Sequence, residues 1–384
     1  MKKIAILGIT GSVGRSTVNI VRNHSDEFTI VLASSHNNYS ELFNLAAEFN
    51  IPNLVLTNKT QAEKITGLPE NSKFYRGSED LQQLIAELEI DLVLNAISGS
   101  AGLISSLTTI RSGIDLALAN KESLVLAGHL IESELSQSSS NIIPVDSEHS
   151  AIFQAISSTP LEQVRFLTLT ASGGPFLNLP LKKFNNITLE DTLNHPTWNM
   201  GNKVTIDSAT MMNKALEVIE AHWLFKKPIA EIDAIIHPQS IIHSFVKFID
   251  GSLLAQMSFP DMQLPILYAL TYPDRLASDI SETDLFSLPE LTFSKIEKER
   301  FPLYFLGREI GIESGLLPTI MNAANEAAID LFLNRKIRFV DLSKLITHTI
   351  ENESNIDAPD LDTILQTNVD IYNKVKQDYK NILK

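Results

Sequence analysis

Cysteine is absent from the 384-residue chain. That excludes disulfide scaffolds, Cys-ligated zinc, iron–sulfur clusters and any thiolate nucleophile. Long apolar runs are missing too, since no stretch approaches the roughly 18 residues of a membrane span. The apolar run that follows Met1-Lys2-Lys3 meets Gly8 and is too short for a signal-peptide core. The expectation is a soluble, cytoplasmic protein with no membrane partner. Positive charge is scarce as well: 31 Lys+Arg stand against 46 Asp+Glu, a net charge of −15. Such a chain has no global basic field for nucleic acid, so an anionic ligand must be held by a few local cations or backbone N–H groups. What is present, 44% hydrophobic and 20% charged residues, is the composition of a folded globular protein. At roughly 100 to 200 residues per domain, the length predicts two or three domains.

Through residue 145, short apolar runs at 3–8, 29–33, 53–56, 91–96, 114–119 and 141–145 alternate with amphipathic stretches such as 15–23 and 40–49. This alternation predicts an α/β fold, a Rossmann-like doubly wound parallel sheet that binds ligands outside the carboxyl ends of its strands. From 146 to 276 the pattern changes to longer strands (165–170, 234–237, 244–249, 252–257) around a helix over 209–225, which predicts an α+β domain. Residues 277–300 are charged and read as a linker. Residues 301–384 are helical, with 319–333 and 360–376 the clearest helices, and predict a small C-terminal bundle.

Gly8-Ile9-Thr10-Gly11-Ser12-Val13-Gly14 follows the first strand and opens a helix. Glycines there permit a tight turn and let the backbone approach a pyrophosphate, whose charge a helix N-terminus favours. The second strand ends in Ser34-Ser35-His36-Asn37-Asn38, without the acid that bonds the ribose 2′-OH of NAD. This loop points to NADP(H), with His36 able to add positive charge. Ala119-Asn120-Lys121-Glu122, at another strand end, reads equally as a ligand contact or as a charged surface turn. Asp146-Ser147-Glu148-His149-Ser150 sets two carboxylates two residues apart at a strand-to-helix turn, either to meet a hard cation or to cap the helix. In the helix after Ser208, the residues Asn213, Lys214 and Glu217 fall within an arc of about 100°. A solvated face would look similar, and Glu220 lies on the same side, so spacing does not choose between Glu217 and Glu220. Thr170-Ala171-Ser172-Gly173-Gly174-Pro175 offers an anion nest. His195-Pro196-Thr197-Trp198-Asn199-Met200-Gly201 carries one of two tryptophans, either a water-excluding lid or a loop anchor. His237 and His243 read as structural.

Taken in chain order, these motifs, with Asp207-Ser208-Ala209-Thr210-Met211-Met212-Asn213-Lys214, His237-Pro238-Gln239-Ser240, Pro318-Thr319 and Asn322-Ala323-Ala324-Asn325-Glu326, closely resemble the 1-deoxy-D-xylulose 5-phosphate reductoisomerases. The resemblance runs over essentially the whole chain. It implies an NADPH-binding domain (1–145), a catalytic and metal-binding domain with a lid at 195–201 (146–276), a linker (277–300), a helical domain (301–384) and a homodimer. It implies metal ligation by Asp146, Glu148 and Glu217, with Mg²⁺ or Mn²⁺ and Co²⁺ as a further candidate. The catalytic set would be Lys121, Asp146, Glu148 and Glu217. A phosphorylated sugar would be held by Lys121, Ser147, Glu148, Ser172, His195, Trp198, Ser208, Asn213, Lys214 and Glu217. NADPH would be lined by Thr10, Gly11, Ser12, Val13, Ser35, His36, Asn37, Asn120, Glu122 and Gly201. The implied reaction rearranges 1-deoxy-D-xylulose 5-phosphate and reduces the product to 2-C-methyl-D-erythritol 4-phosphate in the non-mevalonate isoprenoid pathway. One departure stands out: His36 takes a place where the family often has Lys or Arg, and Ser35 one where Gly is common. Preference for NADPH over NADH is expected to be weaker or more pH-dependent for it. The readings set against this one are a plain NADP-dependent dehydrogenase and a catalytically silent NADPH-binding protein, neither of which needs three carboxylates, Lys214 and a lid.

Overall fold

Strands and helices follow one another as β1 (Lys2–Leu7), α1 (Ser12–Asn23), β2 (Phe28–Ser35), α2 (Tyr39–Phe49), β3 (Asn53–Leu56), α3 (Lys59–Ala62), β4 (Lys73–Arg76), α4 (Ser78–Glu87), β5 (Leu92–Asn95), α5 (Leu103–Arg111), β6 (Asp115–Leu118), α6 (Lys121–Leu135), β7 (Ile142–Pro144) and α7 (Ser147–Ala155). Then come β8 (Val164–Ala171), α8 (Leu189–Leu193), α9 (Asn202–Thr210), α10 (Met212–Phe225), β9 (Ile232–Ile236), β10 (Ile242–Phe248), β11 (Leu253–Met257) and α11 (Gln263–Thr271). The chain ends in α12 (Pro302–Glu313), α13 (Leu317–Leu333), α14 (Phe339–Glu351) and α15 (Leu361–Ile382). The structure, a computed structural model, describes every residue except Asn199, Asp279, Ser281 and Glu282. Asn199 of the expected lid and those three positions of the expected linker therefore lie outside the described residues.

Two compact units result. The first comprises Met1–Ser123, Ile131–Ser150 and Asp261–Ile280, the second Leu124–Leu130, Ala151–Pro260 and Ser281–Lys384. In the first, seven strands form a sheet in the order β4-β3-β2-β1-β5-β6-β7, every pair parallel. Ile4, Ala5, Ile6 and Leu7 of β1 are fully buried, as expected of a central strand covered on both faces. Strand order reverses between β1 and β5, which makes their carboxyl ends the topological switch point where such sheets bind ligands. Helix α11 belongs to this unit although it lies within the range expected for the second domain, and Lys2 Nζ donates to the Leu270 carbonyl at its end (2.9 Å). Strand β4 carries Lys73 and Arg76 on an exposed edge, a common device against edge pairing.

The second unit has a mixed sheet, β11-β10-β8-β9, with β8 and β9 parallel and the other pairs antiparallel. Helices α10, α12 and α13 pack in series beside it, and α13 is buried along nearly its whole length, with Ala323, Ala324, Ala327 and Ala328 inside. The single helix expected over 209–225 is instead two, α9 and α10, separated by Met211 in the left-handed region (φ 61°, ψ 12°). Left-handed backbone costs a non-glycine residue about 1–2 kcal/mol, so surrounding packing must fix the break. Met211 is buried. No helix among the described residues is long and apolar enough to cross a membrane.

The turn from β1 into α1 is shaped by glycine. Gly8 has φ +80°, and a Cβ on it would sit 2.7 Å from the Ala96 carbonyl oxygen at the end of β5. A Cβ on Gly14 would sit 2.4 Å from the Gly8 carbonyl oxygen, a contact with backbone that cannot move aside. Gly14→Ala is therefore expected to destabilise the first unit by about 1–3 kcal/mol, the usual cost of overpacking, despite the better helix propensity of alanine. Urea unfolding of the two proteins measures this, and equal midpoints would refute it.

Candidate active site

At the switch point the Gly8 and Ile9 N–H groups donate to the Ser34 carbonyl (3.0 and 2.9 Å), tying the glycine turn to the end of β2. Thr10 Oγ1 meets Ser35 Oγ at 2.8 Å. Helix α1 then starts after Gly11 with no acidic residue in its first turn, so none of that turn's own side chains competes with an anion for its N–H groups and positive dipole end. His36 and Asn37 are exposed at the tip of β2. His36 Nδ1 pairs with Thr57 Oγ1 (2.9 Å), and Asn37 Oδ1 accepts from Asn58 Nδ2 (2.8 Å). Ser12 and Val13 form the first turn of α1 itself.

Asn120 caps α6, its Oδ1 accepting the Ser123 N–H at 3.0 Å, while its Nδ2 donates to the Ile97 and Gly99 carbonyls (2.7 and 2.8 Å) and to Glu122 Oε2 (3.1 Å). The amide is buried and holds the loop after β5 against the head of α6. That loop, Ile97-Ser98-Gly99-Ser100, was not singled out from sequence. Its signal was a Gly/Ser-rich run directly after a buried strand, the same signal that marks the turn after β1.

One residue past Asn120, the Lys121 ammonium donates to Asp146 Oδ2 at 2.5 Å. Burial alone would raise the Asp146 pKa, but Lys121, with His149 beside it, outweighs burial and holds this carboxyl well below the usual carboxylate range. Ser147 Oγ donates to Glu148 Oε2 (2.6 Å), and carboxylate oxygens of Asp146 and Glu148 lie within 4.8 Å of one another. The turn before α7 thus gathers an ionised Asp, a second carboxylate, a hydroxyl and an ammonium. Lys121 is buried, which rules out the reading of Asn120-Lys121-Glu122 as a solvated surface turn.

In the second unit, His195 is the centre of a small network. Its Nδ1 accepts the backbone N–H groups of Thr197 and Trp198 (3.2 and 3.0 Å), which leaves the ring proton on Nε2. Nε2 reaches Ser172 Oγ (3.2 Å) and Ser208 Oγ (3.1 Å), and Ser172 Oγ also accepts the Gly174 N–H (3.2 Å). The imidazole therefore folds its own loop and gathers two hydroxyls, one from the turn after β8 and one from α9. Trp198 is half-buried, its ring centroid 6.2 Å from that of His243. His243 pairs through Nε2 with Ser258 Oγ (2.9 Å), and His237 accepts the Ile241 and Ile242 N–H groups at Nε2 (3.2 Å each). Both histidines have structural partners. Gly201 is exposed and caps α9, its carbonyl accepting the Thr205 N–H.

On α10, Lys214 and Glu217 are 4% and 1% exposed, so the polar face is buried rather than solvated. Asn213 Nδ2 donates to Glu217 Oε1 and Lys214 Nζ to Glu217 Oε2. The amide and the ammonium both converge on Glu217.

The chain matches the sequence models of three domains: 1-deoxy-D-xylulose 5-phosphate reductoisomerase over residues 4–128, its C-terminal domain over 142–225, and the DXP reductoisomerase C-terminal domain over 257–373. Among curated proteins it is 40% identical over 380 residues to the 1-deoxy-D-xylulose 5-phosphate reductoisomerase of Clostridium acetobutylicum, covering 98% of this chain and 99% of that protein. It is 44% identical over 368 residues to that of Listeria monocytogenes, covering 95% and 97%. Among solved structures, a DOX-P reductoisomerase in complex with NADPH, fosmidomycin and magnesium superposes with a TM-score of 0.92 at 35% identity, covering 100% of this chain and 98% of that one. The Zymomonas mobilis enzyme in complex with NADPH gives 0.90 at 34%, covering 99% of each.

Burial lowers the His195 pKa from its ordinary 6.5, because taking the ring out of water penalises its charged form. As pH falls, the unfolded chain takes up this proton first, so stability from His195 is complete above pH 6.5 and is lost as pH drops through the lower folded value. Thermal midpoints of wild type and His195→Gln between about pH 5 and 8 are expected to differ by a constant amount above 6.5 and to converge below it. A difference independent of pH would contradict this.

Proposed function

The chain belongs to the 1-deoxy-D-xylulose 5-phosphate reductoisomerase family, and from that premise we propose how its residues divide the work of the reaction. The enzyme converts 1-deoxy-D-xylulose 5-phosphate to 2-C-methyl-D-erythritol 4-phosphate with NADPH and a divalent metal, a step of the non-mevalonate isoprenoid pathway. We assign the metal to Asp146, Glu148 and Glu217. The donor chemistry fits: a hard cation takes oxygen ligands, Asp146 is held ionised, and Glu148 sets a second carboxylate beside it. When bound, Mg²⁺ or Mn²⁺, with Co²⁺ as an alternative, supplies Lewis acidity toward charge developing on the substrate oxygens. NADPH supplies the hydride.

The residues of the chain do the rest. Lys121 and Ser147 orient the sugar backbone beside Asp146 and Glu148. Ser172, Ser208 and the Nε2–H of His195 offer hydrogen-bond donors to the phosphorylated end, with Asn213 and Lys214 on the first turn of α10. Holding the phosphate remotely keeps both fragments of a cleaved carbon chain oriented, which is where the binding energy is spent. Trp198 in the 195–201 loop excludes water from the reactive intermediate. Thr10, Gly11, Ser12, Val13, Ser35, His36 and Asn37 line the nucleotide, joined by Asn120, Glu122 and Gly201. We place the NADPH-binding domain at 1–145, the catalytic domain at 146–276, the linker at 277–300 and the helical domain at 301–384. A cytoplasmic homodimer is the proposed assembly. Leu253 and Leu254, exposed on the edge strand β11, support it, because an open apolar edge is one that proteins normally cover.

The observation that carries this reading is the buried ion pair repeated at two places, Lys121 with Asp146 and Lys214 with Glu217. Its test follows NADPH oxidation on addition of 1-deoxy-D-xylulose 5-phosphate, with and without Mn²⁺. Oxidation is expected to require the metal. Loss of even an outer partner of a metal ligand costs roughly 10–100-fold, so Glu217→Gln should lose at least about 100-fold. Full turnover in chelator, or in the variant, would sink the assignment.

A further inference from the structure

The C-terminal helix α13 carries a motif, Asn322-Ala323-Ala324-Asn325-Glu326, to which the reaction as described gives no task. Asn325 is 2% exposed and reaches across 118 positions of sequence to donate from Nδ2 to Asp207 Oδ1 at 2.7 Å. Asp207, 1% exposed, sits on α9 immediately before Ser208. Its other oxygen, Oδ2, accepts from Lys203 Nζ at 2.9 Å, one turn earlier on the same helix. We propose that Asp207 is a positioning residue for substrate binding, and that Asn325 and Lys203 clamp its two carboxylate oxygens so that α9 presents Ser208 in one orientation.

The geometry gives the clamp its direction. Successive residues of a helix project about 100° apart, so Asp207 fastens one side of the last turn of α9 while Ser208 faces another. On that other side Ser208 Oγ meets His195 Nε2 at 3.1 Å. The Ser208 carbonyl oxygen lies where a Cβ on Gly174 would be 2.8 Å away, so the glycine loop after β8 presses directly on this turn. A turn held on one side only could rotate about the helix axis, and a rotation of about 10–20° is already the tolerance of a productive site. Charge-assisted hydrogen bonds resist it better than an apolar contact, because they are directional and roughly twice as strong as neutral ones. The constraint also passes forward. Three residues after Ser208 the chain breaks at Met211, and Asn213 and Lys214 follow at once on α10. Fixing the last turn of α9 therefore fixes where α10 begins. On this view the C-terminal helices take part in substrate recognition, through one amide.

The inference rests on the reading that Ser208 and His195 bind the phosphorylated end of the substrate, and the test separates the two. Four full-length proteins are compared in steady state with NADPH and Mn²⁺: Asn325→Asp, Lys203→Met, Ser208→Ala, and the exchanged pair Asp207→Asn with Asn325→Asp. The single Asn325→Asp change sets two carboxylates face to face. It is expected to raise KM for 1-deoxy-D-xylulose 5-phosphate about tenfold, within the range for a hydrogen bond to a charged group, with kcat and the KM for NADPH nearly unchanged. In the exchanged pair, the amide at 207 donates to the carboxylate at 325 and still accepts from Lys203, so most of the rise in KM should be reversed. Lys203→Met removes the other donor from a less buried side chain and should raise the same KM, which decides the matter if Asn325→Asp does not fold. A merely structural role gives a different pattern: kcat and the thermal midpoint fall while both KM values change alike, and the exchange restores none of them selectively. That pattern, or an unchanged substrate KM in both Asn325→Asp and Lys203→Met, overturns the proposal. If Ser208→Ala leaves the substrate KM unchanged, the binding role of Ser208 falls and the positioning role with it. If Ser208→Ala raises it and the clamp variants do not, only the clamp falls.

Discussion

Buried carboxylates have to be kept charged. Taking an ionised carboxyl out of water is expensive, and removing the partner of a buried pair costs about 3–5 kcal/mol because an uncompensated charge remains. The chain meets this with one lysine per site, Lys121 for Asp146 and Lys214 for Glu217, each on the first turn of a helix. The same ammonium groups answer a second demand. In a protein of net charge −15, the two phosphate-bearing ligands of the proposed reaction need local attraction, and on that assignment these lysines, with the N–H groups at the start of α1, would supply it where the bulk charge opposes it. Side chains that would look like liabilities in an ordinary core would thus serve both cation and anion chemistry.

Each unit delivers its groups in the same manner, from strand ends and helix starts. In the first, parallel order brings the turns after β1 and β5 and the head of α6 to one edge, with Asn120 binding two of those segments through a single amide. In the second, the β8 turn, the His195 loop and the α9–α10 break gather around two serines. Loops provide Ser172 and the glycines, whereas Lys121, Glu148, Lys214 and Glu217 stand on α6, α7 and α10, with Asp146 directly before α7. This suits a reaction in which orientation matters more than any single nucleophile.

Much of this was legible in the residues. The strands with three or more consecutive apolar positions lie within a few residues of where the sequence puts them, because a parallel strand buried on both faces leaves a continuous signal. Strand β4, Lys-Phe-Tyr-Arg, escaped because an edge strand needs only half its residues buried and is guarded by charge. The break at Met211 escaped for a different reason: no glycine or proline marks it, and the left-handed turn is imposed by tertiary packing against local preference. Spacing could not separate Glu217 from Glu220, since both lie on one face of α10. In the structure the side chains of Asn213 and Lys214 both turn toward Glu217, a convergence that no spacing rule reveals. The capping role of Asn120, whose side chain closes α6 and holds a loop, was not legible, because it depends on neighbours 21 and 23 residues away. Asn325 stands in the Asn322–Glu326 motif, but its partner is 118 residues distant, beyond any local pattern.

The central claim is that these lysine-partnered carboxylates hold a divalent cation. Calorimetric titration of Mn²⁺ into the NADPH-saturated protein, compared with Asp146→Asn and Glu217→Gln, tests it without relying on turnover. One Mn²⁺ per chain is expected in the wild type, with binding lost or weakened at least about tenfold in each variant. Equal Mn²⁺ affinity in all three proteins would contradict the account.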